Sequence, residues 1–127
     1  MMLYALDPTD VANANNMAWI LATARKDYMR AGDIIRRCLN LLPNHPQILD
    51  TAGWIAFLSG KYPEAADNLL ASIKYGDNAE AHYHLGRVYE ARDRLDEART
   101  EYQKAIDMGL EGKDLEDAQK RVKQSHK

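Results

Sequence analysis

Apolar side chains recur along this chain every three or four residues, the spacing that places them on one face of an α-helix. They do so in paired segments. The clearest pair begins with His82, Leu85, Gly86 and Tyr89 and continues with Ala98, Tyr102 and Ala105. A bulky residue, Leu-Gly and Tyr on one helix, then small, aromatic and small on the next, describe one unit of a repeating helical hairpin. One period earlier the same unit reads Ala52-Gly53, Ala56, Ala65, Leu69 and Ser72. The period before that offers Ala18-Trp19, Ala22, Ala31, Ile35, Cys38 and Pro43. With starts at Ala12, Pro46 and Ala79, the units span about 34, 33 and 34 residues.

Local signals mark the helix ends. Pro46 and Pro63 suit a first helical turn, where the missing N–H costs nothing. Asp77-Asn78-Ala79-Glu80 reads as a capping box, with Asp77 bonding forward and Glu80 back. Gly60 and Gly109 fall where helices stop. Helices are predicted near 10–24, 28–41, 46–59, 62–75, 79–92 and 95–108. After Gly112, Leu115, Ala118 and Val122 form a narrow apolar stripe on a charged segment, predicting a helix that caps the last hairpin; a partner-binding helix is the alternative. The expected organisation is therefore a preceding-repeat remnant at 1–10, repeats at 11–45, 46–78 and 79–112, and a cap with tail at 113–127. For residues 1–10 a fortuitous leader is the competing reading.

Composition narrows the function. A net charge of −2 supplies no basic field for nucleic acid. The single cysteine, Cys38, excludes a disulfide framework and falls where a small residue is needed between helices. No apolar run reaches membrane-spanning length, and Met1–Leu6 lacks the features of a signal peptide. The compartment stays open between cytoplasm and periplasm.

Candidate chemistry is sparse. His82 and His84 stand two apart on a predicted helix, on different faces, so they do not share a metal. His82 is expected to fill a half-buried aromatic position. There is no phosphate loop, nucleophile elbow or Cys-x-x-Cys. The chain reads as a non-enzyme that uses no cofactor and no metal.

The bulky–Leu-Gly–Tyr and Ala–aromatic–Ala spacing resembles the tetratricopeptide repeat, with His82 for its tryptophan and Tyr102 for its phenylalanine. That resemblance covers about residues 5–125 and implies an all-α fold: a right-handed superhelix of three helical hairpins plus a capping helix. Asn15-Asn16-Met17-Ala18-Trp19-Ile20-Leu21-Ala22, Leu49-Asp50-Thr51-Ala52-Gly53-Trp54 and Tyr83-His84-Leu85-Gly86 are similar to phrases in bacterial arrays of exopolysaccharide export and cell-envelope assembly. Trp19 departs from the pattern, because it is counted onto the small position where two helices approach; Gly32 is expected to make room for it.

The resemblance further implies a partner protein on the concave face, bound as a peptide segment or amphipathic helix. Family positions carried onto this chain put Asn13, Asn16, Ile20, Asp50, Trp54, Phe57, Tyr83, Arg87 and Glu90 there. Trp54 and Phe57 would form an aromatic floor, with a core role as the alternative for each. The family's clamp for a C-terminal carboxylate is not matched: its positions carry Asn16, Ile20, Thr51, Glu80 and His84. Self-association through exposed ends of the stack is the competing structural role, and a regulatory appendage of an enzyme whose catalytic domain lies outside this sequence is a further alternative.

Overall fold

The computed structural model describes residues 8–124, and among them there are seven helices and no strand. They are α1 (Pro8–Thr23), α2 (Tyr28–Leu41), α3 (Pro46–Leu58), α4 (Tyr62–Tyr75), α5 (Ala79–Ala91), α6 (Leu95–Asp107) and α7 (Gly112–Gln124). Each predicted helix is present within two residues of its expected ends. Pro8 begins α1, so residues 8–10 belong to the first helix; the rest of the expected remnant lies outside the described residues. No helix among the described residues is long and apolar enough to cross a membrane.

The helices form three hairpins, and a shared core runs through them. Ile48, Ala52 and Ile55 of α3 join Ala22, Ile35 and Cys38 of the first hairpin. Ala81, Leu85 and Val88 of α5 repeat this against Ala65 and Leu69 of the second. Ala118, flanked by Leu115 and Val122, closes the third over Tyr102 and Ala105, so the apolar stripe of α7 does cap the stack. Every first helix thus shows one face to its own partner and another to the preceding hairpin.

Within a hairpin the two helices meet at a small residue. A Cβ on Gly86 would lie 2.5 Å from the Tyr102 ring, and one on Gly53 2.6 Å from Leu69 Cγ. In the first hairpin this position is filled by Ala18, fully buried in the cluster that contains Ile35. The expectation for Trp19 is therefore corrected. The cause is one added residue in the first turn. Lys61 and Arg94 N–H groups bond back five residues, to Ala56 and Tyr89 carbonyls, whereas Asp27 N–H reaches back six, to Leu21. Leu21 is thus equivalent to Ala56 and Tyr89, and Trp19 to Trp54 and Arg87. Gly32 makes no room for Trp19; a Cβ there meets nothing within 4 Å.

The helix ends also differ in one detail from expectation. Asn78, not Asp77, caps α5, accepting from Ala81 N–H at 2.8 Å. Asp77 instead bonds His82 Nε2 at 2.6 Å, while Glu101 meets Nδ1 at 2.5 Å. His82 is buried between these two carboxylates, more deeply than its half-buried expectation. Cys38 is fully buried with its thiol 4.0 Å from the Val11 carbonyl, and burial pushes its pKa up, away from thiolate chemistry.

Two glycine substitutions should separate these environments. Gly32→Ala should stabilise the protein by about 0.5–1 kcal/mol, because it removes backbone entropy from the unfolded chain and meets open space. Gly86→Ala should cost about 1–3 kcal/mol by overpacking against a buried ring. Urea unfolding of both variants checks the contrast; equal effects would refute the assigned register.

Candidate functional site

The first helices line the concave side, and the corrected register decides what they present there. Trp19, Trp54 and Arg87 occupy one repeat position and form a column. The two indoles stack with centroids 6.5 Å apart, and the Arg87 guanidinium lies 5.7 Å from the Trp54 centroid. Phe57, one turn along α3, stacks on Trp54 at 4.8 Å and also sits under Arg87. His84 packs on Trp54 at 4.4 Å and near Trp19 at 5.8 Å, with its Nδ1 2.7 Å from Asp50. Trp19, Trp54 and Phe57 all keep partial exposure. An aromatic surface therefore spans the first two hairpins.

Two expected groove residues lie elsewhere. Asn13 and Ile20 are equivalent to Ile48 and Ile55, which are buried against the preceding hairpin. In the first hairpin that face has no such neighbour among the described residues, so Ile20 is 50% and Met17 52% exposed. Asn13 and Ile20 thus belong to the stacking end of the solenoid. Trp19 and Asn15 take the places assigned to Ile20 and Asn16. Asn16 remains beside them, lining one concave pocket with Trp19 and Asp50. The signal that was missed is the length of the first turn, which a count from Ala12 cannot register.

The third hairpin's share of the concave side is covered. Tyr83, expected to stand free, is only 4% exposed and donates to Asp117 of α7 at 2.5 Å. Arg87 lies 3.8 Å from the same carboxylate. Glu90 accepts from Tyr102 Oη at 2.6 Å and from Arg121 at 2.9 Å, and Arg121 also donates to Asp117 at 2.7 Å. The polar residues of α5 therefore fasten the capping helix. Arg87 alone faces both ways, holding Asp117 and covering Trp54 and Phe57.

The electrostatics follow from this packing. Burial, then the hydrogen bond to Asp117, pushes the Tyr83 phenol up to about 12. Burial and the Glu90 hydrogen bond raise Tyr102 as well. For Asp117, burial acts upward, but bonds from Tyr83 and Arg121 outweigh it and hold the carboxyl below its ordinary value. Arg121 is raised against its own desolvation by Asp117 and Glu90.

These shifts set a pH window for the cap. A depressed Asp117 stabilises fully above the unfolded value of 3.8, and that contribution is lost as pH falls through the folded value. A raised Tyr83 stabilises fully below 10, and its contribution is lost as pH climbs toward about 12. Tyr83→Phe should therefore cost about 1.5–3 kcal/mol at neutral pH, as expected for a bond to a charged group. It should also flatten part of the stability loss above pH 10. Thermal melts of both proteins across pH measure this, and identical alkaline profiles would contradict it.

Comparisons with known proteins agree with this architecture. A family model described as tetratricopeptide repeat matches residues 51–114. A TPR repeat-containing protein of Pseudomonas aeruginosa is 30% identical over 82 residues, covering 65% of this chain; the match spans 14% of that protein's length. The Sgt2 TPR domain from Aspergillus fumigatus superposes with a TM-score of 0.81 at 19% identity, covering 96% of this chain and 80% of that one. The first TPR of Spaghetti (RPAP3), bound to an HSP90 peptide, also gives 0.81, at 14% identity, with 95% and 94% covered. Hairpins that interlock at a small residue, stack through their first helices and end in a capping helix make this chain a member of the tetratricopeptide repeat family.

Proposed function

We propose that this protein is an interaction module whose concave face binds a segment of another protein, as an extended peptide or an amphipathic helix. The observation that carries the reading is the aromatic surface of Trp19, Trp54 and Phe57, partly exposed on one side of the stack. Large rings left in contact with water are what binding hot spots are made of. Asn16 and Asp50 border that surface, and Arg87 closes its far end. The related fold bound to an HSP90 peptide supports a protein ligand, while Glu80 beside the groove argues against a carboxylate clamp here. The similarity of Asn15–Ala22 and Leu49–Trp54 to envelope-assembly arrays favours a bacterial scaffold as the larger context.

The test is capture on an array of N-acetylated, C-amidated peptides. Trp54→Ala should weaken binding of the best peptides by more than about 1–2 kcal/mol while the far-UV helical signal persists. Unchanged binding would overturn the reading, and a collapse of the helical signal would place Trp54 in the core instead.

A second reading, self-association, is favoured by one separate observation: Met17 and Ile20 expose the apolar face that in α3 and α5 is covered by a hairpin. Sedimentation over a range of concentrations should show association that Ile20→Glu abolishes. A strict monomer at all concentrations removes this reading.

A further inference from the structure

A concave pocket of about 380 Å³ lies between α1 and the first turns of α3 and α5. Its wall includes Asn15, Asn16, Trp19, Gln47, Asp50 and Glu80, and no lysine or arginine lines it. Two negative side chains thus share one hollow with an indole. The Asn15 Oδ1 beside it is buried with no hydrogen-bond partner among the described residues, a further acceptor without a donor.

Opposing this, the N-termini of α3 and α5 abut the pocket, and each helix start contributes roughly half a positive charge. Asn78 already engages one of those N–H groups, that of Ala81. Two termini together offset about one charge, so Asp50 and Glu80 leave the hollow negative by about one. The hydrogen bond from the His84 ring holds the Asp50 carboxylate in place.

We infer that this pocket is a subsite for a basic side chain, arginine or lysine, of the peptide that the groove binds. The inference rests on the peptide-binding reading and adds the chemistry of one ligand residue. Such a cation would place its charge between Asp50 and Glu80 and its flat or methylene surface on Trp19. The chain already uses this pairing one repeat on, where the Arg87 guanidinium covers Trp54. A guanidinium also brings donors to the Asp50 and Glu80 carboxylates and to Asn15 Oδ1. Adjacent apolar ligand residues would then fall on Trp54 and Phe57.

The same blocked-peptide array decides this, because blocking removes terminal charges that would confuse the readout. Peptides whose capture depends on Trp54 should show arginine or lysine favoured at one position, by about tenfold over citrulline or glutamine there. Glu80→Lys, at an exposed position, should abolish that preference and favour glutamate in its place. Titration of the best peptide against the intrinsic fluorescence of Trp19 and Trp54, the only two tryptophans, gives an independent affinity. Trp54-dependent capture with no charge preference, or with an acidic one, overturns the basic subsite and leaves the peptide-binding reading standing. The absence of any Trp54-dependent capture overturns both.

Discussion

Everything in this protein depends on how closely two helices of a hairpin approach. That distance is set where a residue without a large side chain meets a bulky one: Gly86 against Tyr102, Gly53 against Leu69, Ala18 in the Ile35 cluster. Protein interiors are packed to the density of organic crystals, so such a contact tolerates no shift by one residue. Once it is made, the rotation of each first helix about its axis is settled. Residues on either side are then directed to the groove or to the preceding hairpin.

This rotation explains the composition of the concave side. The residue after the small one is Trp19, Trp54 or Arg87, and these stack as a column across three hairpins. Two residues after it stand Ile20, Ile55 and Val88, which point away from the groove; the last two are core, and only Ile20 is open. The end of the stack and its groove are thus distinct surfaces with distinct chemistry. One is aliphatic, with Ile20 and Met17 in the open; the other is aromatic, with Trp19 and Trp54.

The third hairpin commits its inner polar residues to closure. Tyr83, Arg87 and Glu90 stand on the concave side of α5, yet their polar atoms are committed to Asp117 and Arg121 of α7. A terminal repeat has a face that would otherwise be wet, and a charged helix with a thin apolar stripe covers it. Polar bonds then fix where that helix lies. Arg87 joins the two regions, since the same guanidinium reaches Asp117 and caps the aromatic surface. Anchoring of the cap and the shape of the groove are consequently coupled through one side chain.

The helices, the hairpin pairing and the capping role of α7 were legible in the chain, because they follow from local periodicity and from signals such as Pro46 and the Leu115–Ala118–Val122 stripe. Gly53 alone marks the helix contact in the second hairpin and so places Trp54 next to it, partly exposed, while Phe57 also packs against the Leu69–Leu85 core. Trp19 could not, since Ala18 and Trp19 are both available and a count over a variable turn is ambiguous by one. Only the packed structure, through the six-residue reach of Asp27 N–H, shows which is interior. Tyr83 failed for a related reason: its repeat position faces outward, and what covers it comes from a helix 34 residues further along. Local pattern determines which faces a helix has. Which of them meets water is decided by partners distant in sequence, whose docking depends on shape and on the pairing of buried charges.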